Sequence, residues 1–262
     1  MTAQSEIQKP QAEQVARAFL TPRRPKDPQP LVIEGSETVR IATPEGEVAL
    51  QRAGTGPAVL LLHGWEGQAS DMAAFAAPLL ASGCAVVAMH LPAHGESSGK
   101  RASIPQAARA LLSVATVLGP LHGAVAHSVG SAVLGEALHH GLRADRVVMI
   151  AAPAYYEHYA RGVAAAYGLN AEETEAMLAL VSSAIQTDVR EVSLPQRALM
   201  RQEPALFIHS EDDRVVSIKD SQTTALAWPG ARHLRVEGLG HRRILSDLAV
   251  VAAAVEFVSN AR

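Results

Sequence analysis

Residues 121–140 have the sequence LHGAVAHSVGSAVLGEALHH, and within them Ala126-His127-Ser128-Val129-Gly130 decides the fold. The apolar run Gly123–Ala126 predicts a buried strand before the serine, and Val129–His140 predicts a helix after it. In a G-x-S-x-G turn, small residues two positions before and after the serine let the backbone pass tightly from strand to helix. Ala126 replaces the first glycine but is also small. The first amides of the predicted helix would face the Ser128 hydroxyl.

On both sides of this turn the chain alternates between short apolar runs and helical patterns. The runs that predict strands are Ala58–Leu62, Ala85–Met89, Gly123–Ala126, Arg146–Ala151, Ala205–His209 and His233–Val236. The patterns that predict helices are Ser70–Leu80, Pro105–Leu118, Val129–His140, Ser217–Ala227 and Ile244–Ser259. Apolar strands joined by helices predict an α/β fold with a mostly parallel, twisted sheet and helices on both faces. Thr38–Ile41 and Glu47–Arg52 alternate polar and apolar residues around a Pro-Glu-Gly turn, which predicts an antiparallel hairpin leading into the sheet.

The interval 154–203 interrupts the alternation, because no convincing strand occurs there. It contains helix-forming sequence such as AEETEAMLALVSSAI, and it is longer than an ordinary connection between strands. We therefore expect 154–203 to be a helical lid insertion. Residues 1–30 are predicted to form a helix, Gln11–Leu20, and an extended proline-rich arm. The predicted core then comprises 31–153 and 204–262.

The composition excludes several classes of protein. With 48% hydrophobic and 19% charged residues among 262, the chain is typical of globular proteins. A net charge of −3 gives no basic excess, so we expect no nucleic-acid partner. Cys84 is the single cysteine, which excludes an internal disulfide framework, and we expect a cytoplasmic location. The uncharged run Met72–Met89 is broken by Pro78 and by Ser82-Gly83, so we expect no stable membrane insertion.

A serine hydroxyl becomes a good nucleophile when a base removes its proton and an acid holds that base in one tautomer. With the G-x-S-x-G turn, the acid and the histidine follow in that order at the ends of later strands. SEDDRVV follows one predicted strand and EGLGHRR follows the next. The sequence therefore predicts His241 as the base and Asp213 as the acid, ahead of Asp212 and Glu211.

An oxyanion that forms at Ser128 needs two hydrogen-bond donors. His63-Gly64-Trp65 directly follows the predicted strand Ala58–Leu62, so the backbone N–H groups of Trp65 and Val129 are the predicted donors. The indole of Trp65 is expected to pack or to line a pocket. Tyr155, Tyr156 and Tyr159 begin the insertion, where they either line an acyl-binding pocket or attach the insertion to the core.

Taken together, the motifs resemble the α/β-hydrolase family, in particular its lidded esterase, lipase and serine-aminopeptidase-like branch. The matching segments, in the family's order, are LLLHGW, AMHLPAHGESSG, AHSVG, FIHSEDDRVV and GLGH. The resemblance extends from about Thr38 to Val258 and implies the α/β-hydrolase fold. It also implies Ser128 as nucleophile, Asp213 as acid, His241 as base, and Trp65 with Val129 as oxyanion donors. The chain departs from the family pattern at three positions, with His90 where aspartate is usual and Ala126 and Ser210 where glycine is usual.

Each assignment has a simpler alternative. Ser128 could be an ordinary helix N-cap, and Asp213 and His241 could be loop residues without a catalytic role. His127 is expected to face away from the pocket. His63, His90 and His94 lie in neighbouring loops, but no carboxylate or cysteine joins them at the spacing of metal ligands, so we expect no metal and no cofactor.

The sequence favours a serine hydrolase of the carboxylesterase type that acts on small-molecule esters, or thioesters, of a largely apolar acyl group. The same three residues would also serve an aminopeptidase or amidase, an acyltransferase or a carbon–carbon bond hydrolase. A non-catalytic binding module of the same fold would be expected to lack a triad residue, and none is missing.

Overall fold

The computed structural model describes residues 3–25 and 30–260, with side chains from residue 11 onward, so part of the predicted proline-rich arm lies outside the described residues. The strands are β1 Glu37–Thr43, β2 Gly46–Ala53, β3 Ala58–Leu62, β4 Ala85–Met89, β5 Leu121–His127, β6 Ala144–Ile150, β7 Ala205–Ser210 and β8 Arg232–Val236. The helices are α1 Ala3–Phe19, α2 Ala73–Ala81, α3 Ile104–Leu118, α4 Val129–His139, α5 Tyr156–Ala166, α6 Ala171–Ile185, α7 Leu194–Ala198, α8 Ile218–Ala227, α9 Gly240–Arg243 and α10 Leu248–Ser259.

The strands form one sheet in the order β1-β2-β4-β3-β5-β6-β7-β8. β1 and β2 pair antiparallel, as the hairpin pattern predicts, and β2 continues antiparallel onto β4. Every other pairing is parallel, from β4–β3 to β7–β8. The carboxyl ends of β3 and β5 to β8 therefore lie along one edge of the sheet, which places the loops after them close together.

The central strands are apolar on both faces because each face is covered by helices. In β3, Leu60 and Leu62 contribute to one core, whereas Val59 and Leu61 contribute to the other. Helices α3 and α4 cover the first core, and α2 and α10 cover the second. This two-sided burial explains why the strands appear as continuous apolar runs in the sequence.

The interval between β6 and β7 contains α5, α6 and α7, and none of the described strands. An isolated bridge between Tyr155 and Ser193 brings its two ends together. Helix α1 packs against α6, and Val15, Ala16 and Leu20 are buried in the same core as the residues of α6. Helix α1 therefore packs on the same side of the sheet as the insertion.

The structure corrects two predicted helix starts. The first helix begins at Ala3 rather than Gln11 and continues through Pro10. The last long helix begins at Leu248 rather than Ile244, because the Asp247 carboxylate accepts hydrogen bonds from the first free amides of α10 and caps it there. The predicted strands Ala58–Leu62 and Ala85–Met89 are confirmed at both ends. No helix in the described ranges is long and apolar enough to cross a membrane.

Candidate active site

Ser128 lies on the sharp turn between β5 and α4. Its φ is 52°, a conformation that a serine seldom adopts and that the surrounding structure must impose. The turn is tight because α4 starts close to β3: a Cβ at Gly130 would lie 2.5 Å from the carbonyl oxygen of His63. Ala126 is fully buried on the strand side. The small residues around Ser128 therefore permit the close approach of the backbone that exposes the hydroxyl at the sheet edge.

Three predicted site residues form a continuous hydrogen-bonded line. The Oγ of Ser128 is 3.1 Å from Nε2 of His241, and Nδ1 of His241 is 2.7 Å from Oδ2 of Asp213. With the Nδ1 proton donated to Asp213, Nε2 carries the lone pair that faces the Ser128 hydroxyl. This is the geometry that removal of the hydroxyl proton requires.

The Asp213 carboxylate has an environment that keeps it charged. Burial would raise its pKa, but hydrogen bonds from His209 and His241 and from the backbone N–H groups of Val215 and Val216 outweigh burial and hold the pKa well below its usual value. Its side chain is fully buried. A permanently ionised Asp213 would stabilise a positive charge on the imidazole of His241.

Asp212, the alternative acid, contacts other groups than the imidazole of His241. Its carboxylate accepts hydrogen bonds from the Ser210 hydroxyl and from the N–H of Gly240, next to His241. Ser210 Oγ also accepts the N–H groups of Leu239 and Gly240 at 3.2 and 3.1 Å. The serine that replaces the family's glycine therefore connects the loop after β7 to the loop that carries His241.

His127 makes a contact that the sequence did not suggest. His127 is not among the residues that line the cavity beside Ser128, as expected for a side chain that faces away from that cavity. Its Nε2 donates to the carbonyl oxygen of His241 at 2.9 Å, and the centres of the two rings are 4.7 Å apart. Burial, with the nearby His241, lowers the pKa of His127 to about 3. The only sequence signal for this contact is that His127 adjoins Ser128.

A second contact that the sequence missed lies behind Asp213. The fully buried ring of His209 donates from Nε2 to the carbonyl oxygen of Val216 at 3.0 Å, with Asp213 Oδ2 at 3.4 Å. Its Nδ1 is 2.8 Å from the Ser221 hydroxyl, which is 3.0 Å from Nε2 of His233. His209 thus fixes the loop that presents the carboxylate.

The two predicted oxyanion donors both adjoin Ser128. Val129 provides the first N–H of α4, which has no partner within the helix. The N–H of Trp65 donates no hydrogen bond to another described residue. Gly64, beside Trp65, comes so close that a Cβ there would lie 3.0 Å from Cβ of Ser128. Both N–H groups are available to an acceptor at the serine.

The histidines after β3 and β4 hold the loop that contains Trp65. Nε2 of His94 accepts the N–H of Glu66 at 3.1 Å, Nε2 of His63 accepts the N–H of Leu91 at 3.1 Å, and Nδ1 of His90 lies 3.3 Å from the N–H of Ala69. His90 thus anchors its loop where the family usually has aspartate. Among the residues with described side chains, no group of three or more histidine, cysteine, aspartate or glutamate residues is arranged to hold a metal ion.

A mainly apolar cavity of about 470 Å³ adjoins Ser128. The lining side chains come from the core, from the insertion and from α1: Ala18, Phe19, Thr21, Arg23, Trp65, Glu66, Ile104, Ser128, Val129, Ala132, Glu136, Pro153, Ala154, Tyr156, Tyr159, Val163, Tyr167, Val192, Ser193, Leu194, Arg197, Val215 and Val216. Its size and apolar walls suit a small organic molecule. The contribution of α1 could not be seen in the sequence, because it depends on a contact between distant parts of the chain.

The three tyrosines predicted to bind substrate occupy different positions. Tyr156 lines the cavity, and its ring centre is 5.1 Å from that of Phe19 in α1. Tyr159 also lines the cavity, while its hydroxyl donates to Asp220 of α8 at 2.8 Å and so attaches the insertion to the core. Tyr155 is not among the lining residues; its ring packs against that of His158, with their centres 4.7 Å apart. Burial raises the pKa of Tyr156 and of Tyr159, so both hydroxyls stay neutral.

Comparisons with known proteins agree with this architecture. The family model described as "Alpha/beta hydrolase family" matches residues 59–254. No match to a curated protein sequence is significant.

Several solved structures are similar in fold. The esterase Pf2001 of Pyrococcus furiosus superimposes with a TM-score of 0.70 at 19% identity, covering 91% of this chain and 98% of that one. The esterase RhEst1 of Rhodococcus sp. ECU1013 gives 0.65 at 17% identity, covering 85% and 98%. The thioesterase domain from the curacin biosynthetic pathway gives 0.63 at 18% identity, covering 86% and 99%.

Proposed function

The chain belongs to the alpha/beta hydrolase family, and on that basis we propose that it is a serine carboxylesterase in which Ser128, His241 and Asp213 form the catalytic triad. The observation that carries this proposal is the line from Ser128 Oγ to His241 Nε2 at 3.1 Å and from His241 Nδ1 to Asp213 Oδ2 at 2.7 Å, at the wall of an apolar cavity.

The reaction begins when His241 Nε2 takes the proton of the Ser128 hydroxyl as the oxygen attacks the ester carbonyl carbon. The carbonyl oxygen becomes an oxyanion that accepts hydrogen bonds from the N–H groups of Trp65 and Val129. The positive end of the α4 dipole adds to this stabilisation. Asp213, held ionised by its hydrogen bonds, stabilises the imidazolium of His241.

The second half of the reaction repeats these roles with water. His241 gives its proton to the departing alkoxide, which leaves as the alcohol and leaves an acyl group on Ser128. A water molecule then loses a proton to His241 and attacks the acyl carbon, and Ser128 recovers the proton as the carboxylic acid is released. This sequence needs no metal and no organic cofactor. It applies equally to a thioester, with a thiol as the first product.

The apolar cavity supports the choice of an ester with a largely apolar acyl group. Tyr156, Tyr159 and Val163 form one of its walls, and Ile104 contributes from α3. Burial of a small or medium acyl chain against these side chains would supply binding free energy of about 25 cal/mol per Å² of apolar surface. Tyr156 and Tyr159 are the tyrosines that we propose to contact the substrate, with the helical insertion forming a lid over it.

A fluorophosphonate probe tests the nucleophile directly. We expect covalent labelling that maps to Ser128 and that is absent in a folded Ser128→Ala variant. Turnover of p-nitrophenyl esters, compared with aminoacyl anilides, separates an esterase from an aminopeptidase or amidase. A folded wild-type protein that is not labelled and that hydrolyses neither substrate would refute the proposal.

A further inference from the structure

The cavity extends along one face of α4 away from Ser128. Val129, Ala132 and Glu136 all line it, and their spacing places them on the same side of the helix. Glu136 is eight residues after Ser128, so it lies about 12 Å further along the helix axis at a rise of about 1.5 Å per residue. The two ends of this face differ in chemistry, because the reacting hydroxyl is at one end and a carboxylate is at the other.

Glu136 is part of a nearly buried ion pair. Its side chain is 5% exposed and that of Arg197, from α7, is 17% exposed. Nε of Arg197 donates to Oε2 of Glu136 at 2.9 Å, and Nη2 is 3.4 Å from Oε1. Nε2 of His140 lies 3.0 Å from the same Oε1. The carboxylate is therefore already surrounded by donors.

Arg197 makes fewer hydrogen bonds than its guanidinium group can donate. Nη1 of Arg197 donates no hydrogen bond to another residue with a described side chain or backbone, and Arg197 lines the cavity. A hydrocarbon chain that filled this end would remove water from the guanidinium without replacing its hydrogen bonds, which is unfavourable. An oxygen atom on the substrate would replace them.

The charges of Glu136 and Arg197 decide which kind of substrate oxygen this end of the cavity can bind. Glu136 and Arg197 together carry no net charge, so the pair offers no net attraction to offset the desolvation of a second carboxylate, whereas a neutral hydroxyl or keto oxygen has a much smaller desolvation cost. The pair is also an unusual choice for a cavity wall, since apolar side chains of similar volume stabilise a protein at least as well as a buried ion pair. In ligand sites, a few polar groups of this kind fix the orientation of the ligand.

We propose that the substrate is an ester whose acyl chain carries a neutral hydrogen-bond acceptor, a hydroxyl or keto oxygen, near its far end, and that the Glu136–Arg197 pair binds this oxygen. The proposal rests on the esterase function proposed above. We assign the acyl chain to the arm along α4, because the alcohol must depart first and the Glu136 side chain at the far end of this arm is only 5% exposed.

The test compares two esters that differ by one oxygen. An octanoyl chain is about as long as the two turns of α4 between Ser128 and Glu136, so the substrates are p-nitrophenyl octanoate and p-nitrophenyl ω-hydroxyoctanoate. We expect the wild-type kcat/KM to be about tenfold higher for the hydroxy ester, as a hydrogen bond to a charged group implies. The p-nitrophenyl monoester of octanedioic acid should be a poorer substrate than the hydroxy ester.

The double variant Glu136→Leu/Arg197→Met removes both charges and all polar side-chain atoms of the pair at similar volume, and it avoids leaving one charge buried alone. We expect it to lose the preference for the hydroxy ester while it still hydrolyses octanoate. Arg161→Met is the matched control, because Arg161 is in an ion pair on α5 but does not line the cavity. It should retain the wild-type preference.

The outcomes separate this inference from the function on which it rests. If the wild-type protein hydrolyses both esters equally well, the esterase stands and the inference is refuted. If the double variant keeps the preference, the polar group binds elsewhere and the inference is also refuted. If the double variant does not fold, the wild-type comparison alone still decides. Only a protein that hydrolyses neither ester, and whose Ser128 is not labelled by the fluorophosphonate, would refute the esterase itself.

Discussion

Two clusters of histidines lie at the same edge of the sheet, and they differ in what their ring nitrogens contact. The first cluster consists of His127 at the end of β5, His209 in β7 and His241 after β8, and it lies around Asp213. The second, His63, His90 and His94, follows β3 and β4. In the second cluster the ring centre of His63 is 5.3 Å from that of His94 and 6.2 Å from that of His90.

In the second cluster the rings are bonded to the backbone. His63 donates from Nδ1 to the carbonyl oxygen of Gly64 at 2.7 Å, and His94 donates from Nδ1 to that of Pro92 at 2.9 Å. Their other nitrogens accept backbone N–H groups. Burial, as the largest influence, lowers the pKa of each of the three. These rings are therefore neutral connectors between loops.

In the first cluster, Asp213 changes the chemistry of one ring. His241 donates to this buried, ionised carboxylate, and its other nitrogen faces the Ser128 hydroxyl instead of a backbone amide. The Asp213 carboxylate would therefore stabilise a positive charge on the imidazole of His241. A buried histidine is therefore a candidate base when one of its ring nitrogens faces a carboxylate and the other faces a reactive group.

The largest expected effect comes from replacing one histidine in each cluster by alanine and comparing the two variants. His241→Ala should lower kcat for p-nitrophenyl esters by a factor on the order of 10⁶, by analogy with triad losses in serine proteases, with little change in thermal stability. His63→Ala should mainly lower stability, because it leaves the N–H of Leu91 buried without an acceptor, at a cost of about 1–3 kcal/mol. Activity assays and thermal unfolding of both variants check this. A reversal of the two patterns would contradict the comparison.

The two adjacent aspartates provide the next test. Asp213→Asn should lower kcat by about 10⁴, because the amide cannot stabilise the imidazolium and favours the wrong tautomer of His241. Asp212→Asn is the matched control: its carboxylate bonds Gly240 and Ser210, not the imidazole, so kcat should stay within about tenfold of wild type. Similar losses in the two variants would show that the acid has been assigned to the wrong residue.

The second cluster contributes to the pH dependence of stability. Its histidines have a lowered pKa in the folded state, whereas in the unfolded chain they bind protons below about pH 6.5. The unfolded state then holds more protons, so the free energy of unfolding falls as the pH drops below about 6.5. Each histidine that is neutral in the folded state and protonated in the unfolded state contributes a slope of at most about 1.4 kcal/mol per pH unit.

Denaturant unfolding of His94→Gln at about pH 5 and pH 6 measures this contribution. The slope should decrease relative to wild type, by at most about 1.4 kcal/mol per pH unit. Asp213→Asn should keep the wild-type slope in this range, because the lowered pKa of Asp213 affects stability only below its unfolded value of about 3.9. An unchanged slope in His94→Gln would mean that His94 titrates normally in the folded protein.

The positions of Ser128, Asp213 and His241 could be predicted because each follows a short run of residues that forms a strand. Parallel strands place their carboxyl ends together, so chain order and strand ends were enough to bring these residues to one edge. The glycines and prolines beside β3 and β4 fixed the ends of those strands. Ser128, Asp213 and His241 therefore lie within hydrogen-bond reach as the motifs suggested.

The cavity was less predictable, because its walls depend on contacts between distant segments. Phe19 of α1 lies against Tyr156 of α5, and Arg197 of α7 pairs with Glu136 of α4. Hydrophobic periodicity shows that a helix has a buried face but does not show which helix will cover it. For the same reason the sequence predicted only that His127 faces away from the pocket, and not that its ring contacts His241.

His127 gives the smallest expected effect and the most direct test of support for the base. His127→Phe keeps a ring against His241 but removes the hydrogen bond to its carbonyl oxygen at 2.9 Å, so we expect kcat to fall about tenfold with KM unchanged. Because the pKa of His127 is about 3, its neutral ring donates at every assay pH, and the loss should be the same at about pH 6 and about pH 8. His127→Gln, whose amide can also donate, should recover most of the activity. A loss that grows toward one end of the pH range, or that Gln does not recover, would show that His127 acts by another route than orienting His241.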